Sequence, residues 1–134
     1  MDSELIEDVD SIVKYWVETS DDDFKVMHTL LETKQHSWAL FLGHLVLEKL
    51  LKAYYVKVQC QHAPLIHDLV RIVQRSGLIL TEEQLDWLEE VTKFNINARY
   101  DDYKRKFNTL CTPEYTAEWS ERIKQLRLWI KERL

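Results

Sequence analysis

Apolar side chains at Val13, Trp16, Val17, Phe24, Met27 and Leu31 follow one another at intervals of three and four, with Ser20 standing in the stripe without breaking it. This pattern predicts one long helix from about Glu4 to Thr33. At 1.5 Å per residue it would extend about 45 Å, so it must be packed along its length. Asp21 to Asp23 resemble a stop signal, but no Gly or Pro accompanies them and the period continues through them.

A second helix is predicted from about Ser37 to Val58, carrying Trp38, Phe41, Leu42, Leu45, Val46, Leu50 and Tyr54. Its first half is apolar nearly all round, which places it against several neighbours, and Gly43 permits a close backbone approach there. Leu45 and Leu50 are both assigned to its core face. The segment Gln59-Cys60-Gln61-His62-Ala63-Pro64 ends it, because Pro64 disfavours helix at Ala63. A short helix from about His67 to Arg75 carries Leu69, Ile72 and Val73 and stops at Gly77, a residue suited to a left-handed C′ position. Thr81 and Gln84 form a capping box that opens a fourth helix through Leu85, Leu88, Thr92 and Ile96 to about Ala98. Arg99 to Thr112 is assigned as a polar connection. Thr112-Pro113 then supplies an N-cap and N1 pair for a last helix with Trp119, Ile123, Leu126 and Ile130 in its stripe.

The composition agrees with an all-α chain forming one domain over residues 1–134. The hydrophobic fraction is 46%, and two Gly and two Pro leave little material for tight hairpins. No apolar run approaches the roughly 20 residues of a membrane span, and the acidic start lacks the features of a signal peptide, so the expected compartment is the cytoplasm with no membrane partner. Cys60 and Cys111 stand far apart and are expected as reduced thiols. A formal charge of −5 argues against nonspecific nucleic-acid binding. That charge is unevenly spread. Nine carboxylates and one Lys lie between Asp2 and Asp23, whereas Trp119 to Leu134 holds five Lys or Arg and two Glu, which suits antiparallel neighbouring helices.

Three strings stand out: Glu48-Lys49-Leu50-Leu51-Lys52-Ala53, Pro64-Leu65-Ile66-His67-Asp68-Leu69 and Asn97-Ala98-Arg99-Tyr100-Asp101. In that order, with Trp16 and Asp23 ahead of them, the chain from about Val13 onward resembles the HEPN domain family. The resemblance implies an up-and-down four-helix bundle with an additional short helix, usually a homodimer. It also implies a partnership with a minimal nucleotidyltransferase, commonly as toxin and antitoxin. Some members are metal-independent ribonucleases, and others bind nucleotides without cutting, so the family alone does not fix the function.

Active members resemble one another in an Arg followed four to six residues later by a His. An imidazole can exchange the proton of a 2′-hydroxyl near neutral pH, while a guanidinium stabilises phosphate charge. Arg99 fits the first position. Tyr103, Lys104 and Arg105 stand where the His would be, and no His follows His67. A phenol with a pKa of about 10 is a poor base at neutral pH. The expected function is therefore a HEPN-like homodimeric interaction module without catalysis of its own, binding a nucleotide or RNA phosphate through Arg99, Tyr100, Tyr103, Lys104 and Arg105. The alternative is a ribonuclease toxin whose Arg-His motif has departed.

A structural reading of the same residues has Arg99 paired with Glu48 or Asp23 at a dimer seam and Tyr100 in the core. Asp23, Glu48, Lys49, Lys52, His67 and Asp68 belong to the family strings and carry structural roles on this reading. His67-Asp68 caps a helix, and Glu48 with Lys52 forms an i, i+4 pair. Cys60, His62 and His67 lack a fourth ligand, so neither a metal nor a cofactor is expected. Trp16, Trp38 and Tyr54 are the candidates for seam-facing residues.

Overall fold

The computed structural model describes residues 8–134. Among these residues six helices follow one another: α1 (Val9–Glu32), α2 (His36–Gln59), α3 (Leu69–Ser76), α4 (Glu82–Asn97), α5 (Asp101–Leu110) and α6 (Pro113–Lys131). No strand occurs among the described residues. The predicted start of the first helix at Glu4 lies outside them. Within them α1 is capped by Asp8, whose carboxylate accepts from the Ser11 amide at 3.1 Å.

The local stops and starts follow the residues that announce them. Gly77 adopts φ +81° at the end of α3. Thr81 and Gln84 close both bonds of the capping box, at 3.1 and 2.9 Å. The Thr112 hydroxyl accepts from the Tyr115 amide at 3.1 Å, with Pro113 in the first turn of α6.

α2 is the centre of the bundle and packs against each of the other five helices. Leu40, Leu47, Leu50 and Leu51 are fully buried within it. Gly43 lets α6 approach so closely that a Cβ there would lie 2.5 Å from Ile123 Cδ1. The core continues into Leu88, Val91 and Phe94 of α4 and Ile123, Leu126 and Ile130 of α6. The opposite charges of the chain's two ends meet between α1 and α6. Asp21 accepts from Arg127 at 3.1 Å and Lys131 at 2.9 Å, and the Arg127 guanidinium lies 3.8 Å from the Phe24 ring centroid.

Two sequence expectations are corrected. Residues 101–110 form the helix α5 instead of a polar connection. It starts at Tyr100 without a side-chain cap, and of its residues only Phe107 is buried, so it carries no apolar stripe to announce it. Leu45 is half-buried, unlike Leu50, and points away from the core on the side of α2 that also carries half-buried Trp38, Phe41 and Lys49.

Candidate functional site

The first and second strings meet where the buried Glu48 carboxylate holds the exposed His67 ring. The Glu48 carboxylate accepts from Lys52 Nζ at 3.0 Å through Oε2 and from His67 Nδ1 at 3.0 Å through Oε1. The Glu48 and Lys52 side chains are 8% and 6% exposed, so this pair is an interior ion pair and not a solvated helix-face contact. The Trp16 ring lies 5.6 Å from Lys52 Nζ and covers it from α1. His44, one turn before Glu48, is fully buried and bonds the His67 carbonyl at 2.9 Å through Nε2. A carbonyl only accepts, so Nε2 carries the hydrogen, and Nδ1 is left as a buried acceptor with no partner among the described residues. The cluster thus fastens the loop that follows α2 to the middle of α2. Asp68 caps α3 by accepting from the Val70 and Arg71 amides, and the Leu69 amide donates to Thr92 Oγ1 on α4 at 3.1 Å.

Burial holds the His44 imidazole below its ordinary range, against the opposing pull of the His67 carbonyl and the Glu48 carboxylate. Protonation at this site therefore favours the unfolded chain, where the ring titrates near about 6.5. The stability His44 contributes is complete above that pH and is lost as the pH falls below it. Asp21 acts further down. Burial raises its carboxyl, but the hydrogen bonds from Lys131 and Arg127 outweigh burial and hold it below the ordinary carboxylate range. Its contribution is present above about pH 4 and is lost on further acidification. The urea midpoint is expected to stay level near pH 7–8 and to decline in two stages. In His44→Gln, which retains a donor for the His67 carbonyl, the first stage should disappear, and a decline identical to that of the parent would show that another group is responsible.

The third string forms the corner between α4 and α5. Arg99 is exposed, donates to Asn95 Oδ1 at 3.2 Å through Nη1, and has its guanidinium 5.8 Å from the Tyr100 ring centroid. It does not pair with Glu48 or Asp23 within the chain. Glu48 is held as described, and Asp23 lies 2.7 Å from Lys49. Tyr100 is 53% exposed and is not core. Among the described residues Ile96, Tyr100, Tyr103 and Leu110 are four of the ten exposed large hydrophobics, so apolar surface runs from the end of α4 through this corner and along α5.

The five residues grouped by sequence do not converge on one cavity. Arg99 and Tyr100 share the corner. Tyr103 lines a small, largely apolar cleft with Asn97, Lys106, Phe107 and Leu110. Lys104 leaves from the other flank of α5 and lies over the Trp38 ring at 5.1 Å, while Arg105 is exposed. The helical period of α5 imposes this split, since successive residues point about 100° apart. Among the described residues no three His, Cys, Asp or Glu side chains gather as metal ligands.

A bundle built round one apolar helix, with a buried Glu-Lys-His cluster on that helix and an exposed Arg-Tyr corner two helices later, defines a small class of helical domains. The HEPN domain matches residues 13–134, nearly the whole chain, and the chain belongs to that family. Its fold is similar to the crystal structure of TT1696 from Thermus thermophilus, with a TM-score of 0.77 over 91% of this chain and 98% of that one at 17% identity. No curated protein shows significant similarity to it. No helix among the described residues is long and apolar enough to cross a membrane.

Proposed function

We propose that the chain is a HEPN-family interaction module that forms a homodimer, acts with a minimal nucleotidyltransferase, and binds a nucleotide or RNA phosphate at the Arg99 corner without catalysis of its own. The observation that carries this reading is the state of Arg99. Its guanidinium is exposed, bonded to a neutral amide, and flanked by the exposed Tyr100 ring, which leaves it free to meet a phosphate. In the turn that follows, Tyr103, Lys104 and Arg105 occupy the positions at which a proton-transferring His would serve cleavage. The apolar surface around Arg99 and the half-buried face of α2 support self-association.

Native mass spectrometry of the purified protein should give the dimer mass and any retained nucleotide together. Arg99→Ala is expected to weaken nucleotide or RNA binding by about 1.5–3 kcal/mol, the usual strength of a charge-assisted hydrogen bond. Its melting temperature should be unchanged, because no carboxylate is stranded. A marked fall in melting temperature without loss of binding would overturn the reading and make Arg99 a structural residue. Growth arrest on overexpression that disappears in Arg99→Ala would establish the ribonuclease toxin in its place.

A further inference from the structure

We propose that the polar cavity where the α1–α2 turn, the start of α2 and the Lys104 flank of α5 meet is a binding site for the phosphate group of a small ligand, separate from the Arg99 corner. The cavity measures about 270 Å³, and its walls include Lys34, His36, Ser37, Trp38, Asn108 and Cys111. That is near the lower limit for ligand sites and suits a phosphate with a small attached group better than a polymer.

The walls hold one lysine and several donors without a carboxylate among them. Lys34 is the cation of the wall, and Lys104, outside the wall but one turn before Asn108 on α5, is held over the Trp38 ring at 5.1 Å. Among the described residues neither lysine lies within ion-pair distance of a carboxylate. In a chain of net charge −5, one such lysine in the wall and a second over the ring of a wall residue mark a local reversal of sign. Asn108 adds an amide, and the Nδ1 atom of His36 is buried without a hydrogen-bond partner. Burial pushes the Cys111 thiol up to about 12, so that wall stays neutral and does not repel an anion.

The start of α2 adds to these side chains. Gln35 makes no side-chain cap, and the first turn carries no acidic residue, so the first amides of α2 have no side-chain acceptor of their own. Two lysines with helix-start amides match a doubly charged group better than a single carboxylate. Lys34 also holds φ +61°, a left-handed conformation that favours glycine, so the backbone there would accept Gly without strain.

The test is a titration of the full chain at constant ionic strength with inorganic phosphate, adenosine 5′-monophosphate and adenosine, following the backbone amide resonances of His36, Ser37 and Trp38. Phosphate and the monophosphate should shift these resonances saturably at millimolar concentrations, and adenosine should not. Similar affinity for the two phosphates identifies the phosphate group as the whole determinant, and tighter binding of the monophosphate identifies a nucleotide as the source. Lys104→Met and Lys34→Gly should each weaken binding about fivefold or more. Lys34→Gly should at the same time raise the melting temperature by a few degrees, which separates loss of binding from loss of fold. Arg99→Ala should leave these shifts unchanged. Absence of a saturable shift with either phosphate, or undiminished binding in both lysine variants, would overturn the inference. Loss of the shifts in Arg99→Ala would also overturn it, while leaving the functional reading of the Arg99 corner standing.

Discussion

Glu48→Leu is expected to destabilise the domain by about 3–5 kcal/mol, because it leaves the Lys52 ammonium buried without its counter-ion. The Trp16 ring, 5.6 Å from Nζ, offsets only a part of that loss. The same change frees the His67 ring and leaves the loop after α2 held at this point by the His44 bond to the His67 carbonyl. The double variant Glu48→Leu/Lys52→Met should recover most of the loss, since two apolar groups of similar volume can replace a buried pair at little cost. Urea denaturation of the two single variants and the double variant gives the coupling directly. Additive losses in the double variant would mean that each residue contributes through its own packing and not as half of an ion pair.

Leu50→Asp is the second large effect. Leu50 is fully buried at the centre of α2, so a carboxyl there leaves a cavity and an unpartnered polar group together. The combined cost of about 4–5 kcal/mol or more is comparable with the whole stability of many domains, and no cooperative melt is expected. Leu45→Asp should behave differently. Leu45 is half-buried and lies outside the core cluster, so that variant should keep a cooperative melt and lose no more than about 1–2 kcal/mol. Equal damage from the two substitutions would show that the side of α2 bearing Leu45 is covered, and a monomeric Leu45→Asp would identify a second copy of the chain as the cover.

These two leucines also mark where sequence reasoning ends. A helix with a one-sided stripe reveals its core face, whereas the first half of α2 is apolar nearly all round and does not separate Leu45 from its neighbours. The capped helices were legible because Asp68, Gly77, Thr81, Gln84 and Thr112-Pro113 each act through bonds within their own turn. α5 was not, since Phe107 alone is buried and Tyr100 provides no cap. The signal that could have found it is the pair Asp101 and Asp102 at the first turn, followed by a stretch without Gly or Pro. In the candidate site, the strings containing Glu48 and His67 were visible, but their contact joins residues nineteen positions apart and depends on how the loop returns to α2. The grouping of Lys104 with Arg99 treated neighbours in sequence as neighbours in space, an assumption that holds in a connection and fails in a helix.

The central place of α2 has a consequence for how the molecule transmits a disturbance. α2 touches every other helix, while α6 also meets α4 directly through the Tyr115–Glu90 hydrogen bond at 2.9 Å and the Phe94–Trp119 ring pair. The Arg99 corner and the Asp21 ion pairs thus have a shared rigid neighbour. Displacement of α2 by even a fraction of its side-chain contacts would be registered at both, because a close-packed interior shifts between discrete arrangements and does not yield smoothly. The bundle is in this sense a hub with spokes, in which opening any one spoke exposes part of the hub, and cooperative unfolding as a single unit follows from the wiring.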